Sequence, residues 1–155
     1  MIIKRVLVLF CITFAISCTN SNEPEEKIFS IDDYNTIEKQ KQLLDSLLQI
    51  DQLVRNESTK AQQTFGYRSK EHNDAIAKTI RIDTQNLVII ESYLRKYDYP
   101  SIETHGRDAN TAPYMILHHS PSGFGVNYRE RNIKYLHKAW KEGKLRPRSN
   151  AFFLG

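Results

Sequence analysis

The sequence predicts an all-α protein, a small array or bundle of four to five helices. Three observations point there. Apolar residues recur three and four positions apart over two long stretches, which is the spacing of one helix face. No stretch alternates apolar and polar residues as a half-buried strand does. Proline and glycine (Gly66, Pro100, Gly106, Pro121, Gly143 and Pro147) cut the chain into helix-sized pieces. The chain has 155 residues, 40% hydrophobic and 26% charged. That suits one domain with one modest core and excludes wholesale disorder. Only 6 glycines, 5 prolines and one long apolar run exclude collagen-like, mucin-like and multi-span membrane classes.

Residues 1–17 predict a signal peptide. Lys4 and Arg5 precede the apolar run Val6 to Ser17, which is too short for a spanning helix of ~20 residues. The run ends Ala15-Ile16-Ser17-Cys18 and resembles a bacterial lipoprotein signal, although Leu is commoner than Ala three positions before the cysteine. The resemblance implies cleavage before Cys18, a diacylglyceryl thioether on its sulfur and an N-acyl group. The domain would then sit outside the cytoplasm, anchored in the cell envelope. A secreted protein cut by ordinary signal peptidase is the alternative. Cys11 lies within the signal, so Cys18 is the only other cysteine, and a lipidated Cys18 leaves no thiol for a disulfide, a nucleophile or a metal. Residues 18–30 contain the polar stretch Thr19 to Lys27 and read as a flexible tether. The helical domain is expected over 31–155.

The first helix is expected from about Asp33 to about Thr59, capped by Asp32 or Asp33. Leu43, Leu47, Ile50 and Val54 form its apolar stripe, widened by Leu44 and Leu48. Gln62 to Arg68 reads as a connection. A second helix follows from Ser69, its N-cap, to Tyr97. Its seam runs through Ile76, Ile80, Asp83, Leu87, Ile90, Leu94 and Tyr97, and Pro100 stops it. A shorter helix is expected near Asp108, with Pro113 in its first turns and Ala109, Ala112, Ile116 and His119 on one face. Pro121 to Gly125 is a predicted turn. Asn127 and Glu130 resemble a capping box for a helix that ends at Gly143, with Ile133, Leu136, His137 and Trp140 as its apolar stripe. The apolar ending Ala151 to Leu154 suggests a docked tail or a truncated chain.

The candidate site rests on charge in apolar places. Asp51 and Arg55 share a side of the first helix with Leu44, Leu47 and Leu48, and at four apart they can touch. Asp83 occupies a seam position and Asn86 borders it. A buried unpaired carboxylate costs several kcal/mol, so these groups must pair, bind something or reach water. One outcome is an internal salt bridge between Arg55 and Asp83 that fixes helix register. The other is a polar pocket between helices. Of His118 and His119, about 100° apart on a helix, His119 is the better inward candidate. His105 would reach either group from its loop, whereas His72 and His137 sit on separate helices. No metal motif is present and no cofactor is expected, with a histidine–carboxylate metal site left open. Ser120 beside His119 leaves a Ser-His-Asp set open, without a G-x-S-x-G elbow. Ser122 to Gly125 lacks the lysine and preceding strand of a phosphate loop.

The motifs Asp51-Gln52-Leu53-Val54-Arg55, Asp83-Thr84-Gln85-Asn86, Gly106 with Ala109, and His118-His119 occur in an order that resembles a family of uncharacterised bacterial helical proteins, many of them predicted lipoproteins. The similarity covers about Leu43 to Leu154. It implies that Asp51, Gln52, Arg55, Asp83, Asn86 and His119 cluster, but names no substrate. The chain stops at Gly155, where the family's aspartate-arginine and tyrosine-glycine segments would begin, which implies an incomplete domain.

Two functions follow as expectations. The first is a non-catalytic envelope lipoprotein that binds a protein partner or small ligand. The alternative is an envelope hydrolase with His119 as base or metal ligand, Asp83 or Asp51 orienting it, and Arg55 as an anion clamp. Basic residues outnumber acidic ones from Arg129 to Arg148, which reads as a solvated face or as contact with anionic lipid or an acidic partner. Nucleic acid is not an expected partner in the envelope.

Overall fold

A computed structural model describes residues 29–120 and 128–145. Five helices and no strand make up the described residues: α1 (Ile37–Phe65), α2 (Lys70–Tyr97), α3 (Ile102–His105), α4 (Arg107–His119) and α5 (Tyr128–Lys141). The all-α expectation holds. No helix among the described residues is long and apolar enough to cross a membrane. The expected signal, most of the tether, the Pro121–Gly125 turn, Asn127 and the apolar ending lie outside the described residues.

α1 starts later than the sequence suggests, because Ile31 is buried in the core and the chain turns there, Tyr34 N bonding to Ile31 O at 3.1 Å. Thr36 is the cap instead of Asp32 or Asp33, its hydroxyl accepting from Lys39 N; Asp32 pairs with Lys96 of α2. Phe29 N donates to Ser92 Oγ at 3.3 Å. α1 passes Thr59 and ends only at Gly66, whose φ of 94° suits glycine. Ser69 caps α2 as expected, accepting from His72 N at 3.1 Å.

α1 and α2 form an antiparallel hairpin. Glu57 pairs with Lys78, Arg55 with Asp83, and Gln40 with Tyr93, so positions climb on one helix as they fall on the other. The main core gathers Leu43, Leu44 and Leu47 of α1, Leu87, Ile90, Tyr93 and Leu94 of α2, Ala109, Ala112, Ile116 and Leu117 of α4, and Leu136 and Ala139 of α5. The predicted α2 seam is therefore buried only from Asp83 onward. Ile76 and Ile80 are 40% and 52% exposed, because the core's members on α2 begin at Leu87 and among the described residues the far half of the hairpin packs on itself.

Gly106 closes α3 and opens α4 with φ 83°. α4 then starts at Arg107, and Pro113 lies in its interior rather than its first turns. It is buried and removes one intrahelical hydrogen bond. The face Ala109, Ala112, Ile116 is buried as expected, and its two alanines let α4 lie close to its neighbours. In α5 the buried stripe is Asn132, Leu136 and Ala139, while His137 and Trp140 face outward and stack on each other. The helix is rotated from the expected face because Asn132 reaches inward to Glu91 of α2 at 2.5 Å. Gly143, at φ 72°, follows its end.

Candidate functional site

The helix periods bring three elements to one point. Asp51 is one turn beyond Leu47 on α1 and Arg55 one turn further. Asp83 and Asn86 share a face of α2, and His119 is the last residue of α4. Asp51 is completely buried. Both its oxygens lie 3.1 Å from His119 Nδ1. Its Oδ2 accepts from Gln52 Nε2 at 2.8 Å, and its Oδ1 lies 3.3 Å from Arg55 Nη2. The same Arg55 nitrogen donates to Asp83 Oδ1 at 2.9 Å. One guanidinium thus bridges two carboxylates from different helices, and the deeper carboxylate holds an imidazole from a third.

Two donors on these helices are buried and find no acceptor: Arg55 Nη1 and Asn86 Nδ2. Asn86 is buried on α2 and bonds to none of the other members. The cluster is not sealed. The His119 side chain is 20% exposed and that of Arg55 24%. Burial pushes the Asp83 carboxyl above the ordinary 3.8; Arg55 pulls against this and the Asp51 charge adds to it. With its proton on Nδ1 toward Asp51, a neutral His119 imidazole would present Nε2 as a base.

Asp51, Arg55, Asp83 and His119 are joined in one network, with Gln52 as an exposed second donor to Asp51. Other expectations do not hold. Ser120 Oγ donates to Ile116 O at 2.9 Å and is buried, which removes a Ser-His-Asp set: its hydroxyl closes the end of α4. His118 stacks on Tyr114. His105 does not reach the cluster. It is buried elsewhere, with Nδ1 2.7 Å from the Thr104 hydroxyl and Nε2 3.1 Å from Gln40 Oε1, which also accepts from the Tyr93 hydroxyl. Burial lowers its pKa from 6.5. His72 Nδ1 accepts from Arg68 N and ties the hairpin connection. Among the described residues no group of three or more His, Cys, Asp or Glu is placed to hold a metal ion.

A second polar group was not expected from the sequence. Glu91 is buried on α2, accepts from Arg131 Nε at 2.8 Å and from Asn132 Nδ2, and lines a cavity of about 310 Å³ between α2 and α5. Its signal was available, since Glu91 lies four residues after Leu87 and beside Ile90 on the apolar side of α2.

The fold and the cluster define a helical hairpin crossed by α4, with an ionisable network where the three helices meet. No protein-family model, no curated protein and no solved structure matches the chain.

Proposed function

We propose that this protein is a bacterial cell-envelope lipoprotein, held at a membrane through lipidated Cys18, whose helical domain binds a small polar ligand at the Asp51–Arg55–Asp83–Asn86–His119 cluster. The observation that carries the binding site is the pair of buried donors, Arg55 Nη1 and Asn86 Nδ2, without acceptors. The Arg55–Asp83 pair alone equally fits a register-fixing salt bridge. The unmatched donors call for an acceptor besides that pair, because each costs about 1–3 kcal/mol and buried polar groups are bonded to protein, ordered water or a bound group. A ligand with acceptor oxygens satisfies both.

The anchor rests on the shape of the first 18 residues. Each buried methylene contributes about 0.8 kcal/mol and one chain alone is marginal; the three chains of a lipidated Cys18 hold a folded domain without a spanning helix.

Two experiments test this. Mass spectrometry of the protein isolated from membranes should find a mature N-terminus at Cys18 carrying three acyl chains; an unmodified terminus or cleavage elsewhere contradicts the anchor. A thermal-shift screen of small polar compounds should give at least one class that raises the unfolding midpoint of the wild type and not of Asn86→Leu. No compound that separates the two proteins contradicts the site.

A further inference from the structure

We infer that the ligand is an uncharged carbonyl compound, an ester or amide, and that His119 delivers water to it; this rests on the binding site proposed above and assigns it a reaction. Three features of the cluster combine. Asp51, completely buried, faces Nδ1 of His119 with both oxygens at 3.1 Å. No hydrogen bond to Nε2 of His119 exists among the described residues, and the ring is partly exposed. The two unmatched donors, Arg55 Nη1 and Asn86 Nδ2, stand on α1 and α2, the helices that supply Asp51 and Asp83. This supplies a base with its orienting carboxylate, and donors on the neighbouring helices suited to an oxygen that gains charge.

The charge balance selects the substrate. Two carboxylates face one guanidinium, so an anionic ligand gains little here, whereas a neutral carbonyl oxygen is accepted by the donors and not repelled by Asp51 and Asp83. The reaction balances with water as the only co-reactant. Water oxygen forms a bond to the carbonyl carbon as its proton passes to His119 Nε2. The carbonyl π pair moves onto oxygen, held by Arg55 Nη1 and Asn86 Nδ2. The pair returns, the bond to the leaving alkoxide or amine breaks, and that group takes the proton from Nε2. Acid and alcohol or amine are released and His119 is neutral again. His119 is the catalytic residue; Asp51 acts through it and is a positioning residue.

The test uses full-length protein in detergent with p-nitrophenyl acetate, p-nitrophenyl butyrate and N-acetylalanine p-nitroanilide. Wild type should hydrolyse at least one with saturation. His119→Gln should lower kcat about 10²–10⁴-fold and Asn86→Leu about 10²–10³-fold. Asp51→Asn should lower kcat while KM stays within about 2-fold, and its folded protein should lose the Nδ1-protonated form of His119 in nitrogen NMR, which a misfolded fraction does not give. Equal rates for wild type and folded His119→Gln on all three probes overturn the inference. If His119→Gln fails to fold, Asn86→Leu decides in the same way. A compound that raises the thermal midpoint of wild type but is not cleaved overturns hydrolysis and leaves ligand binding standing. Absence of both shift and cleavage overturns the two together.

Discussion

Replacing Arg55 and Asp83 by leucine, singly and together, measures what the cluster contributes to the fold. Arg55→Leu leaves two buried carboxylates without their guanidinium. Asp51 keeps His119 and Gln52, so the loss falls on Asp83, which is 7% exposed. Removing one partner of a buried pair costs about 3–5 kcal/mol, and partial access to water puts this case near about 3 kcal/mol. Asp83→Leu is milder, about 1 kcal/mol by the same reasoning. The arginine it leaves is a quarter exposed and still 3.3 Å from Asp51. The raised pKa of Asp83 has the same sign. A carboxyl lifted above 3.8 by burial stabilises the fold fully below its unfolded value and loses that contribution as pH rises through its folded value. At neutral pH the ionised group is thus a burden that leucine removes. The double variant should lose about 1 kcal/mol relative to wild type, a coupling of roughly 3 kcal/mol, at the upper end for residues in contact. Urea unfolding followed by circular dichroism gives all four values, with equal m required for the comparison. A coupling below about 0.5 kcal/mol, or Arg55→Leu no worse than Asp83→Leu, refutes the burial and pairing argued here.

Other consequences follow. Burial lowers the pKa of His105 from 6.5, so its contribution is present above that value and lost as pH falls through its lower folded value. Wild type should lose up to about 1.4 kcal/mol per pH unit there relative to His105→Gln, read from urea midpoints between pH 7.5 and 5. Glu91→Ala removes the acceptor that ties Arg131 and Asn132 to α2. It should cost about 1–3 kcal/mol and speed amide exchange in α5 before α1 or α2. Ile80→Ser should change stability by less than about 0.5 kcal/mol, because Ile80 is 52% exposed; a larger loss, by the same unfolding assay, means the far half of the hairpin is covered.

Much of the architecture was legible because it depends on local rules. The 4-3 spacing from Asp83 to Tyr97, Ser69 before it and Pro100 after it place α2 to the residue. Charge in that spacing exposed Asp51, Arg55 and Asp83 as a group, since one turn separates Asp51 from Leu47 and burial forces a partner. What local rules miss is set by contacts from distant chain. Asp32 and Asp33 look like caps, yet burying Ile31 bends the chain and hands the cap to Thr36. Ile76 and Ile80 continue the seam but are largely exposed, because among the described residues no later helix covers that half. In α5 the pull of Glu91 on Asn132 turns His137 and Trp140 outward. Pro113 stands inside α4 because the helix starts at Arg107, directly after Gly106, and runs on to His119.

The account turns on His119 being held by Asp51 in a site built from three helices, and nitrogen NMR of the neutral imidazole reads this directly. With Nδ1 facing the carboxylate, neutral His119 should carry its proton on Nδ1 and leave Nε2 unprotonated, and Asp51→Asn should abolish that preference. A wild-type spectrum with the proton on Nε2, or one that Asp51→Asn leaves unchanged, contradicts it.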